Sequence, residues 1–340
     1  MTSNDWYNKP LNLDDIIAGG TLTLLAIIFL SIYIVVAFAL YRESHSTTGF
    51  LYLLSSSINN MFLLINHAFN PGILILLKKQ TPIYGRRLFQ TYSDSMWFSM
   101  CYHILLLSWT RYAAISRPCQ FRKQQNFTVY MLCFMCYVIA LIQSIVLNLQ
   151  PWYVTFYYEA SVYGMVAENI ELYLKGGKSQ IFFIFHLLIF IATFSLYGCA
   201  FFLLFKYNHK FRKNFNNRIT PNAIQPNAIR SWNVFAANNV HMCSETKLIL
   251  PCICNAIIFV MGQVVITVGI NGGRWTTWLT SVLFTLTDAV DSITLLTFSG
   301  LVRKSTLIIL RDLFYCCNKE TKVVVIKKTT KPSASSKEGI

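Results

Sequence analysis

Apolar runs long enough to cross a bilayer recur along the whole chain, and no other feature limits its fold so strongly. A helix needs roughly 20 mostly apolar residues to traverse about 30 Å of hydrocarbon. Runs of that kind extend from Ile16 to Tyr41, Gly49 to Leu77, Leu88 to Ser116, Phe127 to Leu149, Ile181 to Phe205, Lys247 to Ile270 and Trp275 to Leu301. Only 13% of the 340 residues are charged and 54% are hydrophobic, whereas a soluble domain carries about a quarter charged residues. The expected fold is therefore an all-α membrane protein, a bundle of seven transmembrane helices, with no stretch left for a large soluble domain. Met1 to Asp15 are polar and acidic and lack the basic start and small-residue cleavage site of a signal peptide, so the first span is expected to act as its own insertion signal.

The second span contains Asn70-Pro71-Gly72. Proline removes a backbone donor and clashes with the preceding turn, so a kink or an early exit is expected there.

Orientation follows from the basic residues, which are retained on the cytoplasmic side during insertion. About 20 of the 29 lysines and arginines fall in the three loops of one side and the C-terminal tail, against about eight on the side of the N-terminus. This places residues 1–15 outside, the bundle over 16–301, and the C-terminus in the cytoplasm of a plasma-membrane protein. The cluster Lys78, Lys79, Arg86 and Arg87 runs against that trend and is outvoted by the total. All ten cysteines lie in spans or on the side assigned to the cytoplasm, so no disulfide is expected. The sequon Asn126-Phe127-Thr128 lies on that side too and should stay unglycosylated.

The third inner loop, Lys206 to Glu245, is basic and polar with a short tandem repeat, and reads as a flexible connection. After the last span, residues 302–317 have the pattern of a short amphipathic eighth helix. Its polar side carries Arg303, Lys304 and Arg311, and it would lie in the membrane interface against lipid. Cys316-Cys317 ends that helix where reversible palmitoylation is expected. Residues 318–340 form a basic, disordered tail.

Ionisable side chains within spans are expensive and mark functional sites by default. They are Asp94, His103, Arg111, His186, Asp288 and Asp291. Each has a structural alternative: Asp94 could reach the outer surface, and the histidines could be satisfied by serine or backbone groups.

The segment Ser108-Trp109-Thr110-Arg111-Tyr112-Ala113-Ala114-Ile115-Ser116-Arg117-Pro118 closes the third span. It resembles the Asp/Glu-Arg-Tyr signature of rhodopsin-like G-protein-coupled receptors, with Thr110 in place of the acid. Asp291-Ser292-Ile293-Thr294-Leu295 is similar to that family's Asn-Pro-x-x-Tyr, with departures at Ser292 and Leu295, and Asn59 or Asn60 stands where the acid of its second helix would be. A kept Arg-Tyr, other landmarks eroded, and abundant Phe, Tyr and Cys resemble nematode serpentine chemoreceptors, a divergent group of the family. The resemblance implies an extracellular small-molecule or peptide ligand and a heterotrimeric G protein as partners. Arg111, Tyr112, Glu245 and Asp291 would form the switch. Glu245, at the inner end of the sixth span, would hold Arg111 in the closed bundle, and G-protein carbonyls would receive it when that span moves outward. A pocket between the third, fifth, sixth and seventh spans would be lined by Asp94, Trp97, Phe98, Phe185, Gln263 and Asp288, mostly aromatic with a few polar groups.

Other functions fit less well. A transporter would show matching broken helices in two halves, and only one break is seen. A channel with its N-terminus inside contradicts the basic-residue count, and no filter sequence is found. A retinal protein needs a lysine in the seventh span, which has none. No nucleophile–base spacing or metal-ligand cluster suggests an enzyme, and no cofactor, metal or nucleic acid is implied.

Overall fold

The structure, a computed structural model, describes residues 3–45, 47–80, 82–218, 257 and 273–312. Helices α1 (Ser3–Tyr7), α2 (Leu13–Ser44), α3 (Gly49–Leu64), α4 (Asn70–Leu76), α5 (Ile83–Ser116), α6 (Pro118–Arg122) and α7 (Asn126–Asn148) come first. A hairpin of β1 (Phe156–Glu159) and β2 (Gly164–Ala167) follows, then α8 (Ile170–Lys175), α9 (Gly177–Arg218) and α10 (Arg274–Phe298). Residues 300–312 form a last helix, α11. Six of the seven expected spans are thus helical. Apart from residue 257, the sixth lies outside the described residues, as do Glu245, Gln263, Cys316 and Cys317.

Local chemistry sets the helix starts. Asn12 caps α2 through a reciprocal pair, its Oδ1 accepting from the Asp15 amide at 2.8 Å and its own amide donating to Asp15 Oδ2 at 3.2 Å. That closes two of the orphan donors every helix leaves at its N-terminus. Proline opens α6 and precedes α5, where its fixed φ suits a helix start and its missing N–H costs nothing.

The elements are apolar outside and small or polar inside. In α7 the buried stripe is Val129, Cys133, Cys136, Ala140, Ser144 and Asn148, while Phe127, Phe134, Met135, Ile142 and Leu149 are exposed. That arrangement suits lipid, where large side chains face hydrocarbon and small ones allow helices close approach. Four helical segments, Leu13–Ser44, Asn126–Asn148, Ser179–Tyr207 and Arg274–Phe298, are long and apolar enough to cross a membrane.

Several expectations need correction. The second span neither exits early nor breaks at Pro71: a π-helical turn, Ile65–Phe69, joins α3 to α4, and the Asn70 amide reaches back to the Ile65 carbonyl. The wider turn absorbs the proline so that the helix continues to Leu76. The third span begins at Ile83, a turn earlier than its apolar run. Arg86 lies in that added turn with its guanidinium 3.8 Å from the Tyr157 ring centre, so a cation–π contact replaces hydropathy as the support. The fifth helix runs on through Arg218, so the first part of the third inner loop is helical and not a flexible connection. The eighth helix starts at residue 300, one residue after Ser299 leaves helical geometry. The β1–β2 hairpin, paired from Phe156 with Ala167 to Glu159 with Gly164, was not expected in an all-α bundle.

That hairpin and α1 cap the end of the bundle that bears the N-terminus, and Asp15 ties the cap together. Its carboxylate accepts from Trp6 Nε1 at 3.1 Å and the Tyr163 hydroxyl at 2.5 Å, and pairs with Lys78 Nζ at 3.0 Å. Lys78 also stands 4.3 Å above the Trp6 ring. Tyr7 donates to Glu159, which also accepts from Ser161. Burial first, and then the hydrogen bond to Glu159, push the Tyr7 phenol above its ordinary value, so it stays a donor. The same two causes, with Asp15 as partner, raise Tyr163.

Helices α2 and α4 approach closely at Gly19 and Gly72. A Cβ on Gly72 would stand 2.3 Å from Thr23 Oγ1 and 2.9 Å from the Gly19 carbonyl, whereas one on Gly20 would meet nothing. Gly72→Ala is therefore expected to lower the stability of the purified chain by about 1–3 kcal/mol. Gly20→Ala should leave it unchanged or slightly higher, and thermal denaturation in detergent compares the two.

Candidate functional site

Three ionisable groups within the spans, His67, Asp288 and Asp291, meet at α10. Asp288 and Asp291 lie one turn apart, and both meet partners from the first two spans. Asp288 is fully buried, and its Oδ2 is 2.8 Å from Nδ1 of His67, a residue of the π-helical turn. Its backbone carbonyl accepts the Tyr33 hydroxyl of α2 at 2.5 Å. Asn60 of α3 donates through Nδ2 to Asp291 Oδ2 at 2.9 Å and lies 3.1 Å from the Tyr33 oxygen. His67, Tyr33 and Asn60 thus join two carboxylates into one polar seam linking α2, α3 and α10. A buried carboxyl is costly unless hydrogen-bonded, and the seam gives Asp288 the His67 ring and Asp291 the Asn60 amide, each at one oxygen.

Aromatic rings line the space beside the seam. Trp97 of α5 donates from Nε1 to His186 Nε2 of α9 at 2.9 Å, while the other ring nitrogen of His186 meets the Phe182 carbonyl at 2.5 Å. With a donor at one nitrogen and a carbonyl at the other, His186 is a neutral imidazole protonated on Nδ1. The Trp97 ring centre lies 5.5 Å from Phe284 and 6.1 Å from His67, and His67 lies 5.2 Å from Phe284. Phe98 packs at 5.1 Å on Phe185 and 5.2 Å on Phe182. Edge-on and tilted ring pairs at such separations are favourable beyond the area they bury.

Of the expected ligand residues, Trp97, Phe98 and Phe185 thus share one aromatic cluster, and Asp288 is linked to it through His67, which packs on Trp97 and Phe284. Asp94 stands apart. It does not reach the surface but is buried at 6% exposure, accepting from Gln90 Nε2 at 2.6 Å and from the hydroxyl of Tyr153 in the loop between α7 and β1. Gln263 lies outside the described residues. His103 is a packing residue, with Nδ1 2.8 Å from the Ser99 carbonyl and Nε2 2.9 Å from Ser55 Oγ. Among the described residues no three His, Cys, Asp or Glu side chains converge as metal ligands.

At the opposite end of α5, Arg111 is 2% exposed, with Nη1 facing Gly49 at the start of α3. Thr110 donates to the Leu107 carbonyl of its own helix at 2.7 Å and so does not act on its neighbour. Tyr112 packs with Ile115 against Tyr197 and Ala200 of α9. Glu245 lies outside the described residues, while Asp291 belongs to the seam and not to the Arg111 end.

Sequence reasoning missed His67, the closest partner of Asp288. A histidine four residues before Pro71 in an apolar run was a readable signal, but its direction depends on the π-helical turn, which shifts the helix register by a residue.

No protein-family model matches the chain, and no curated protein matches it. The helices and their order define a rhodopsin-like seven-helix membrane fold. The structure of squid rhodopsin is similar over 98% of this chain and 96% of that one, with a TM-score of 0.66 at 14% sequence identity. The likeness is one of fold, and α10 has no lysine for a Schiff base.

Removing one partner of the buried His67–Asp288 pair should cost about 3–5 kcal/mol. His67→Leu is expected to lose most folded protein, and the double change His67→Leu with Asp288→Leu to regain much of it. Thermal midpoints and yields in neutral detergent give the comparison, and a double variant as poor as the single one contradicts the pairing.

Proposed function

We propose that the chain is a G-protein-coupled receptor of the nematode serpentine chemoreceptor group. It sits in the plasma membrane with its N-terminus outside and its C-terminal tail in the cytoplasm. An extracellular small molecule or peptide is its ligand and a heterotrimeric G protein its partner. The observation that carries this reading is the burial of Arg111, beside Tyr112, at the end of α5 remote from the N-terminal cap, within a rhodopsin-like fold.

A guanidinium buried at that depth needs acceptors in every state of the bundle. In the closed state we assign Glu245, because Thr110 is engaged with its own helix. In the open state the acceptors are backbone carbonyls of the G protein, and the basic inner loops add docking charge. Ligand enters from the capped side. Trp97, Phe98, Phe185 and Asp288 are the ligand contacts, together with Gln263 of the sixth span and Asp94, which holds the loop after α7 through Tyr153. The polar seam reaches from the aromatic cluster toward Asp291, so a ligand that shifts α10 acts on the helix that leads into the cytoplasmic α11.

The test needs no known ligand. A charge-assisted hydrogen bond is worth about 1.5–3 kcal/mol, so weakening the closed state by Glu245→Gln should raise ligand-free signalling on the order of tenfold. Arg111→Ala, alone or combined with Glu245→Gln, should bring signalling to the level of untransfected cells. Both are read by cAMP and calcium reporters at surface levels matched with an N-terminal tag, which antibody should reach on intact cells. Normal signalling by Arg111→Ala contradicts the switch, and a tag reached only after permeabilisation contradicts the orientation.

A further inference from the structure

Helix α11 turns a basic and apolar stripe outward. Val302, Ser305 and Thr306 are buried against the bundle, with Val302 fully inside its core. Gly300, Arg303, Lys304, Leu307, Ile308 and Arg311 each have a neighbour three or four residues away in the set, which puts them on one face. They line a groove of about 440 Å³. Its lining holds three cations and no acid. Arg303 Nη1 lies 3.5 Å from the Thr297 carbonyl, an edge contact that leaves most of its fork for a ligand. Arg311 stands 3.9 Å from Asp312, an exposed neighbour pair that water largely screens.

We propose that this groove binds the multiply phosphorylated headgroup of a phosphoinositide lipid. Arg303 and Arg311 are about 12 Å apart along the helix axis. One phosphodiester reaches a single end of that stripe, whereas a headgroup with several phosphates meets all three cations, the arginines through paired N–H donors. Leu307 is 62% exposed between the charges. An aliphatic rung there suits the acyl region of a lipid and serves no soluble polyanion. The stripe also begins two residues beyond a membrane-crossing helix, at headgroup depth. The choice of the inner leaflet rests on the orientation proposed above, while the headgroup chemistry does not.

The purified full chain in neutral detergent is titrated with short-chain phosphatidylinositol bisphosphate, short-chain phosphatidylserine and free inositol trisphosphate, and binding is read by native mass spectrometry. Neither ligand, G protein nor membrane orientation enters this assay, so its outcome is independent of the receptor reading. The bisphosphate lipid should bind most tightly. Each basic residue near a lipid surface is worth about 1 kcal/mol, so the triple change Arg303→Gln, Lys304→Gln and Arg311→Gln should weaken binding on the order of a hundredfold. The side chains are exposed, so the thermal midpoint without lipid should not move. Arg122→Gln with Lys123→Gln, exposed cations elsewhere, should leave binding unchanged and so excludes a bulk charge effect. Equal binding of phosphatidylserine, an unaffected triple variant, or a loss matched by the control pair overturns the proposal. Free inositol trisphosphate binding as tightly as the lipid overturns the assignment to a membrane lipid.

Discussion

A carboxylate inside a membrane protein must be paired, because hydrocarbon offers no water and an uncompensated buried charge costs several kcal/mol. Asp288 and Asp291 impose that requirement on α10, and three side chains from the first two spans answer it. Asn60 lies on α3, Tyr33 comes from the middle of α2, and a π-helical turn carries His67 to Asp288. The seam fixes three helices relative to one another through groups that have few other places to go. A bundle of this kind gains little from apolar contact between helices, since lipid tails compete equally well, so polar pairs and close small-residue contacts such as Gly19 against Gly72 set its geometry.

The cap meets a different need. The five described cysteines are free thiols, and none joins the hairpin to a helix. Asp15 does comparable work with hydrogen bonds and one ion pair, collecting Trp6, Tyr163 and Lys78 from three separate segments. Arg274 extends the clasp, its Nε donating to the Ser161 carbonyl at 2.6 Å while its guanidinium lies 4.6 Å from the Tyr163 ring. Lys78 and Arg86, whose charge opposes the orientation drawn from the other basic residues, thus both have local structural duties at this end.

Hydropathy alone made the six described spans legible, since the helical segments of each overlap its apolar run. What it did not show follows from physics it does not encode. Helix ends depend on capping and local partners, so α5 starts a turn early where Arg86 meets Tyr157, and α9 runs well past its apolar stretch. Pro71 was readable as a disturbance, but whether a proline kinks, ends or widens a helix depends on what packs around it, here α2 at Gly72. Asp288 and Asp291 were recognisable as costly residues in a span. Their partners were not, because Tyr33 and Asn60 are common in spans and His67 turns inward only through the π-helical turn. Trp97, Phe98 and Phe185 were read as lining one pocket between spans; the structure packs Phe98 on Phe185 and joins Trp97 to His186, the residue after Phe185. The contact of Asp94 with Tyr153 was not readable, because it depends on how the loop after α7 returns to α5.

The account depends most on the seam joining α3 to α10, and a reciprocal exchange at Asn60 and Asp291 tests it directly. Asn60→Asp alone puts two carboxylates in contact and should strongly lower the thermal midpoint and surface level. Asp291→Asn alone removes the acid and leaves two amides. Combining them restores one acid and one amide at the same contact, so the double variant should regain most of the stability lost by Asn60→Asp. If the double variant is no better than the sum of its parts, the two residues do not act on each other and the seam is not what orders the bundle.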